Sequence, residues 1–155
     1  MASIIGVETL QHTNGTTAAT IDSSGRIKKP NQPRFRARNS GITNYTSTGA
    51  MSWNTEDFDV GNNFSGSTFT CPIDGVYFFA FNVFANTGHS ANVDMFHNGG
   101  IIGRAERGTT AGGYETMGFS LIFPCSANDT VLLNLNSGQV HTNGDLNFFT
   151  GYLVC

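Results

Sequence analysis

Charge is scarce in this chain: Asp, Glu, Lys and Arg make up 12% of its 155 residues, about half the usual share. Gly, Asn, Ser and Thr take up the difference, which suits turn-rich β structure and disfavours long helices. Long apolar runs are missing as well. No stretch approaches the ~20 apolar residues that a membrane helix needs. Met1-Ala2-Ser3-Ile4-Ile5-Gly6 lacks the charged start and long apolar core of a secretion signal. Cysteine is sparse, at Cys71, Cys125 and Cys155, without a CxxC or a Cys/His cluster that would signal zinc or redox chemistry. Buried free thiols are expected, as in a chain made in the cytoplasm.

Catalytic spacing is missing too. Ser and Thr abound, but no G-x-S-x-G elbow occurs. His89 and His97 flank Asp94, yet three residues along a strand put Asp94 and His97 on opposite faces. His12, His89, His97 and His141 read as loop or strand-end residues. Glu56, Asp57 and Asp59 could meet a cation, but calcium wants six or more oxygens, and a solvated turn is the simpler expectation. Trp53, the lone Trp beside that turn, is expected to pack at a strand end and not to stack on a sugar. The expectation is a protein that is not an enzyme, with no cofactor and no metal-ligand set.

What is present in excess is aromatic. Thirteen Phe raise the ring content, and the densest stretch is Phe69 to Phe84. Pro72-Ile73-Asp74-Gly75 makes a turn there, and a strand follows. Tyr77, Phe79, Phe81 and Val83 fill one face of it, while Val76, Phe78, Ala80 and Phe84 fill the other. An antiparallel strand apolar on both sides usually has both covered. One side serves the core; the other is expected to meet a further subunit.

The remaining strands are expected at regular spacing between turn residues: Arg34–Ala37, Ala50–Trp53, Asn92–His97, Ile101–Ala105, Tyr114–Phe123, the stretch around Val131 to Leu135, and Leu146–Val154. Strands of this length and spacing argue for a sandwich or barrel. An apolar strand ending at the C-terminus belongs inside a sheet, which a jelly roll provides. Loops 86–91 and 107–113 are small and polar, suited to a variable outer tip.

Residues 1–33 differ. Short strands are expected at Ile4 to His12, Ala18–Ile21 and Gly25–Ile27, with turns at Asn14-Gly15 and Asp22 to Gly25. The segment is too sparse in apolar residues to bury a core alone. Lys28 to Pro33 reads as a linker, because two prolines oppose helix and central strand. We therefore place an arm at 1–33 and a domain at 34–155. Six of the eight Lys and Arg fall between Arg26 and Arg38, without an acid among them. Such a collar can dock on an acidic surface or serve as a solvated linker paired with its own acidic domain. Nucleic acid is not expected as a partner, since no aromatic-basic interleaving extends beyond the patch.

These residues carry a resemblance. Phe69-Thr-Cys-Pro-Ile-Asp-Gly75-Val-Tyr77-Phe-Phe79-Ala-Phe81 resembles the aromatic signature of C1q-type globular domains. Phe149-Thr-Gly-Tyr-Leu-Val is similar to that family's last strand, Val93 to Gly99 to its strand before an Asn-Gly turn, and Asn128-Asp129-Thr130-Val131 to its Gly-Asp-x-Val. The resemblance covers about residues 34 to 155 and implies an all-β, ten-strand jelly roll assembled as a homotrimer. Phe69, Tyr77, Phe79, Phe81, Phe149 and Tyr152 would be its core and trimer aromatics. The collagen-like stalk, the full loop between Phe64 and Phe69 and a calcium-binding acid cluster are not found here.

Leu10 to Ile27 resembles a short module of tailed-phage virion proteins that precedes variable outer domains. It implies an attachment arm, with Leu10, Ile21, Arg26, Lys28 and Lys29 as candidate contacts. Together the two resemblances imply a trimeric virion knob, either a head decoration or a head fibre, made in the bacterial cytoplasm. The alternatives are a short tail-fibre or receptor-binding protein that touches host glycans, and a soluble lectin-like module. No membrane partner is expected.

Overall fold

The computed structural model describes residues 6–41, 45–46, 48–109, 112–113, 115–141 and 146–155. Ile4, Ile5 and Tyr114, placed in strands by sequence, lie outside them. The chain divides into two compact units at Gln32/Pro33.

The first unit is a three-stranded antiparallel sheet of β1 (Thr9–Gln11), β2 (Thr17–Ile21) and β3 (Ile27–Lys28). The carboxylate of Asp22 shapes the β2–β3 turn by accepting the amides of Ser24 and Arg26. Gly25 belongs to this turn and not to a strand, and Lys28 closes β3 instead of opening a linker. Among the described residues of this unit, Ala19 is its buried apolar side chain, while Leu10 and Ile27 are exposed.

The second unit is a sandwich. One sheet runs β12 (Glu115–Cys125), β9 (Gly75–Ala85), β15 (Phe148–Leu153), β4 (Arg34–Arg38), β6 (Thr55–Val60), with β14 (Val140–His141) beside β9. The other runs β11 (Gly100–Arg107), β10 (Ala91–His97), β13 (Thr130–Gly138), β8 (Thr68–Thr70), β7 (Phe64–Ser65), with β5 (Gly49–Ala50) on β13. The last strand, β15, lies between β9 and the unit's first strand, β4, as a jelly roll requires.

Alternation sorts each strand into an inner and an outer row. Tyr77, Phe79, Phe81 and Val83 point inward with Phe35 and Phe149, against Phe69, Val93, Met95, Val131, Leu133 and Leu135 of the opposite sheet. Phe35 stacks on Phe69 at 4.7 Å between centroids and meets Phe149 edge-on at 4.9 Å. Gly151 sits beneath these rings: a Cβ there would come within 2.6 Å of Phe79 and 2.9 Å of Phe35, so only Gly fits between the two strands.

Two expectations are corrected. Ala50–Trp53 is not a strand. β5 stops at Ala50, and Met51 and Trp53 lie in an irregular buried crossing. It is tied by a polar network in which Asn39 donates to the Ser52 carbonyl and accepts from the Asn54 amide, while Asn147 accepts the Asn39 amide. Each buried amide thereby finds partners, as a dry interior demands. Trp53 is buried 6.3 Å from Phe149, which is core packing and not a sugar platform. The acidic turn at Glu56–Asp59 is likewise a strand, β6, paired with β4. A bulge between Arg36 and Ala37 leaves Asp57 without a cross-strand partner and turns it towards Arg36 and Arg38.

Candidate functional site

The outer row of the β9 sheet is where the sandwich is left unfinished. Register puts Ile122, Phe78, Tyr152 and Arg34 in one cross-strand line, and Ser120, Ala80, Thr150, Arg36 and Phe58 in the next. Val76 and Pro124 lie beyond the first line. Ile122 is 64% exposed and Tyr152 44% exposed, and the Tyr152 ring packs on Phe78 at 5.1 Å. Tyr152 is thus an outward residue and not part of the core, unlike Phe69, Tyr77, Phe79, Phe81 and Phe149.

Beside this apolar band runs the basic one. Arg34, Arg36 and Arg38 alternate outward along β4. Asp57 accepts from Arg36 and, at 2.7 Å, from Arg38, which holds its carboxyl below the usual range. The Arg36 guanidinium also lies 5.5 Å from the Phe148 ring centre. In the first unit, Arg26 pairs with Asp22 at 2.8 Å, and Lys28 lies 4.0 Å from the same carboxylate. Much of the collar is therefore matched by acids of its own unit, and its second half is a strand of the sandwich and not a linker.

The opposite sheet turns a polar row outward: Asn92 and Asp94 of β10, Asn134 and Asn136 of β13, Arg104 of β11. Asp94 is fully buried there by its neighbours. It accepts two bonds from Arg104, at 2.6 and 2.8 Å, and one from Asn136 at 2.6 Å. The Arg104 bonds hold its carboxyl below the ordinary value. His97 points to the other side of β10, towards Asp129. The arrangement of Asp94 and His97 that a triad would need is absent.

One end of the sandwich gathers more chemistry than its sequence spacing suggests. The Asn98-Gly99 turn, the loop after Cys71 and the 126–129 turn are laced together. Cys71 donates its amide to the Asp129 carbonyl, Asn128 donates to the Cys71 carbonyl, and Thr130 donates to the Asn98 side chain. Asn98 and Gly99 take φ of 48° and 81°, the left-handed pair that an Asn-Gly hairpin turn supplies. Asp129 accepts from Asn98 at 2.6 Å, from the Ser126 amide at 2.7 Å, and its Oδ2 lies 2.8 Å from His97 Nε2. These bonds, led by that of Asn98, hold its carboxyl down at about 2. The buried Cys125 thiol completes a set in which one ligand atom each of His97, Cys125 and Asp129 lies within 4.8 Å of the others. Burial pushes up both Cys125 and its neighbour Cys71. Cys71, Cys125 and Cys155 are all free thiols, with Cys155 exposed. Sequence inspection finds no Cys/His cluster because His97 and Asp129 are 32 residues apart and meet only through strand pairing.

Residues 35–154 match the C1q domain. The chain belongs to that family. Solved structures agree on the fold. The sandwich is similar to the globular domain of zebrafish complement 1qA protein, with a TM-score of 0.66 at 14% identity, covering 80% of this chain and 98% of that one. It is similar to Eiger TNF from S. frugiperda, with a TM-score of 0.65 at 7% identity, covering 80% and 93%. It is also similar to murine APRIL at pH 5.0, with a TM-score of 0.61 at 12% identity, covering 79% and 99%. The C1q/TNF jelly roll that the aromatic signature implied is therefore the fold of residues 35–154. Domains of this class generally act as binding modules that usually form homotrimers.

Proposed function

We propose that this chain is a non-enzymatic virion protein of a tailed phage. In this reading the C1q-type unit forms a homotrimeric outer knob, and the N-terminal unit attaches it to the particle. The observation that carries the trimer is the uncovered apolar line Ile122, Phe78 and Tyr152 with Val76 beside it. The core already occupies the inner rows, so this second apolar face needs a cover. A copy of the same chain supplies a matched surface. An exposed apolar patch rimmed by polar groups is the usual mark of such an interface.

Attachment is supported by the resemblance of Leu10 to Ile27 to a virion module and by the unit's meagre core. With Ala19 as its buried apolar residue, the small sheet gains most by docking Leu10 and Ile27 into another protein. A trimer of small heads also multiplies weak contacts without a deep pocket. Within this reading the position is that of a head decoration or head fibre.

Two measurements test this. Sedimentation velocity of the isolated protein is expected to give the trimer mass; a monomer at micromolar concentration overturns the assembly. Immunogold with antibody to residues 33–155 is expected to label phage heads. Tail labelling makes it an adsorption protein, and unlabelled particles favour a soluble lectin-like module.

A further inference from the structure

We infer that His97, Cys125 and Asp129 form a divalent metal site for zinc or a zinc-like ion at the end of the sandwich. The donors are one imidazole nitrogen, one thiol sulfur and one carboxylate oxygen, mutually within 4.8 Å. That mixture suits Zn²⁺, which binds His, Cys and Asp at about 2.0–2.3 Å in tetrahedral sites. Ligand atoms around such an ion sit some 3–4 Å apart, given those bond lengths. The observed set needs a small opening of the 2.8 Å approach between His97 Nε2 and Asp129 Oδ2 and a closing of its wider separations, which reach up to 4.8 Å, by about an ångström.

The scaffold is already in place. His97 ends β10, Cys125 ends β12 and Asp129 precedes β13. The connecting turns are fixed by Asn98 on Asp129 Oδ1, by the Ser126 amide on Oδ2, and by the Ala127 amide on Asp74. Such bonds orient a ligating carboxylate without filling it, since each oxygen has two lone pairs. The His97 ring is braced at 4.9 Å by Phe123. The imidazole and carboxylate keep 20% and 18% of their surface exposed, so an ion has a way in, while the thiol is shielded.

Binding through Nε2 needs the neutral imidazole with its proton on Nδ1, and Cys125 binds as the thiolate. Where the proton starts on Nε2 it moves to Nδ1, and the Cys125 proton leaves to solvent, so one proton is released per ion bound. Three protein ligands leave one tetrahedral position for water. The site is distinct from the apolar outer face of the β9 sheet and does not depend on the proposed virion role.

The test uses the full-length protein with Cys155→Ser, which removes the exposed competing thiol, under reducing conditions with Co²⁺ as a spectroscopic probe. One Co²⁺ per chain is expected, with a thiolate-to-cobalt charge-transfer band, tetrahedral visible bands, and displacement by Zn²⁺. Cys125→Ser is expected to abolish the charge-transfer band, and His97→Gln to weaken binding about tenfold or more, because even changes outside the ligand set cost that much. Cys71→Ser, which alters the neighbouring thiol, is expected to leave the band in place. Circular dichroism of each variant separates ligand loss from unfolding. Absence of saturable Co²⁺ binding in the parent overturns the site, and so does a band that survives Cys125→Ser or vanishes with a folded Cys71→Ser.

Discussion

The two outer faces of the sandwich are built from the same strand alternation but end differently. On the β13 sheet the outward row holds Asn92, Asp94, Asn134, Asn136 and Arg104, with the charged pair locked by short bonds, and the apolar pair Phe96 and Leu132 follows at one end. On the β9 sheet the outward row holds Val76, Phe78, Ala80, Phe84, Ile122 and Tyr152. A face that satisfies its own polar groups is complete in the single chain. A face of rings and aliphatic side chains loses apolar surface to water until something covers it. The difference marks the β9 face as the one whose apolar side chains the single chain leaves exposed.

The comparison breaks first if the core has been placed in the wrong row. Phe79→Ala removes a ring buried between the sheets and is expected to cost ~3–5 kcal/mol, read from the urea midpoint; near wild-type stability would return Phe79 to the surface. Asp94→Ala probes the polar face. Losing a buried carboxylate with three charge-assisted or amide bonds is expected to cost about 1.5–3 kcal/mol. The pH dependence has a definite sign. Because Arg104 lowers the folded pKa of Asp94, its contribution is present above the ordinary carboxylate value and is lost as pH falls below about 4. Wild type and Asp94→Asn should therefore converge in melting temperature on acidification, and parallel curves would show that the pair contributes nothing.

Smaller in folding energy, but sharper for the comparison, is a matched pair of surface charges. Ile122→Asp and Thr70→Asp both alter exposed side chains, and each should change subunit stability by about 0.5 kcal/mol or less. Only Ile122→Asp is expected to lower the mass seen by sedimentation. Equal masses for both variants would mean that the apolar face is not the contact. The smallest effect is expected from removing residues 1–32. A chain starting at Pro33, whose carbonyl accepts the Leu153 amide, should keep both its urea midpoint and its trimer mass while no longer joining particles. A monomeric or unfolded product would make the first unit part of the fold.

Much of this was legible in the residues. The Phe69-to-Phe81 block, Asn98-Gly99 and the apolar closing strand point to a β sandwich or barrel, because alternation and turn chemistry are local properties, and the likeness of that block to the C1q signature pointed to the family. The two apolar rows of β9, one inward and one outward, were legible for the same reason. Glu56-Asp57-Asp59 was misleading, since three acids in four residues look like a turn when the arginines that neutralise Asp57 lie about twenty residues earlier. The Met51–Trp53 crossing looked like a strand because buried apolar residues give the same signal with or without a ladder.

Most strands of the sandwich, the Asn98-Gly99 turn and the inner and outer rows of β9 followed from side-chain order, since each depends on neighbours within a few residues, whereas β6 and the Met51–Trp53 crossing did not. The partners of Asp57, Asp94, Asn39 and Asn147, and the meeting of His97, Cys125 and Asp129, were settled only by the tertiary structure. Those contacts join distant stretches of chain, and cross-strand register, which no local pattern encodes, decides which of them touch.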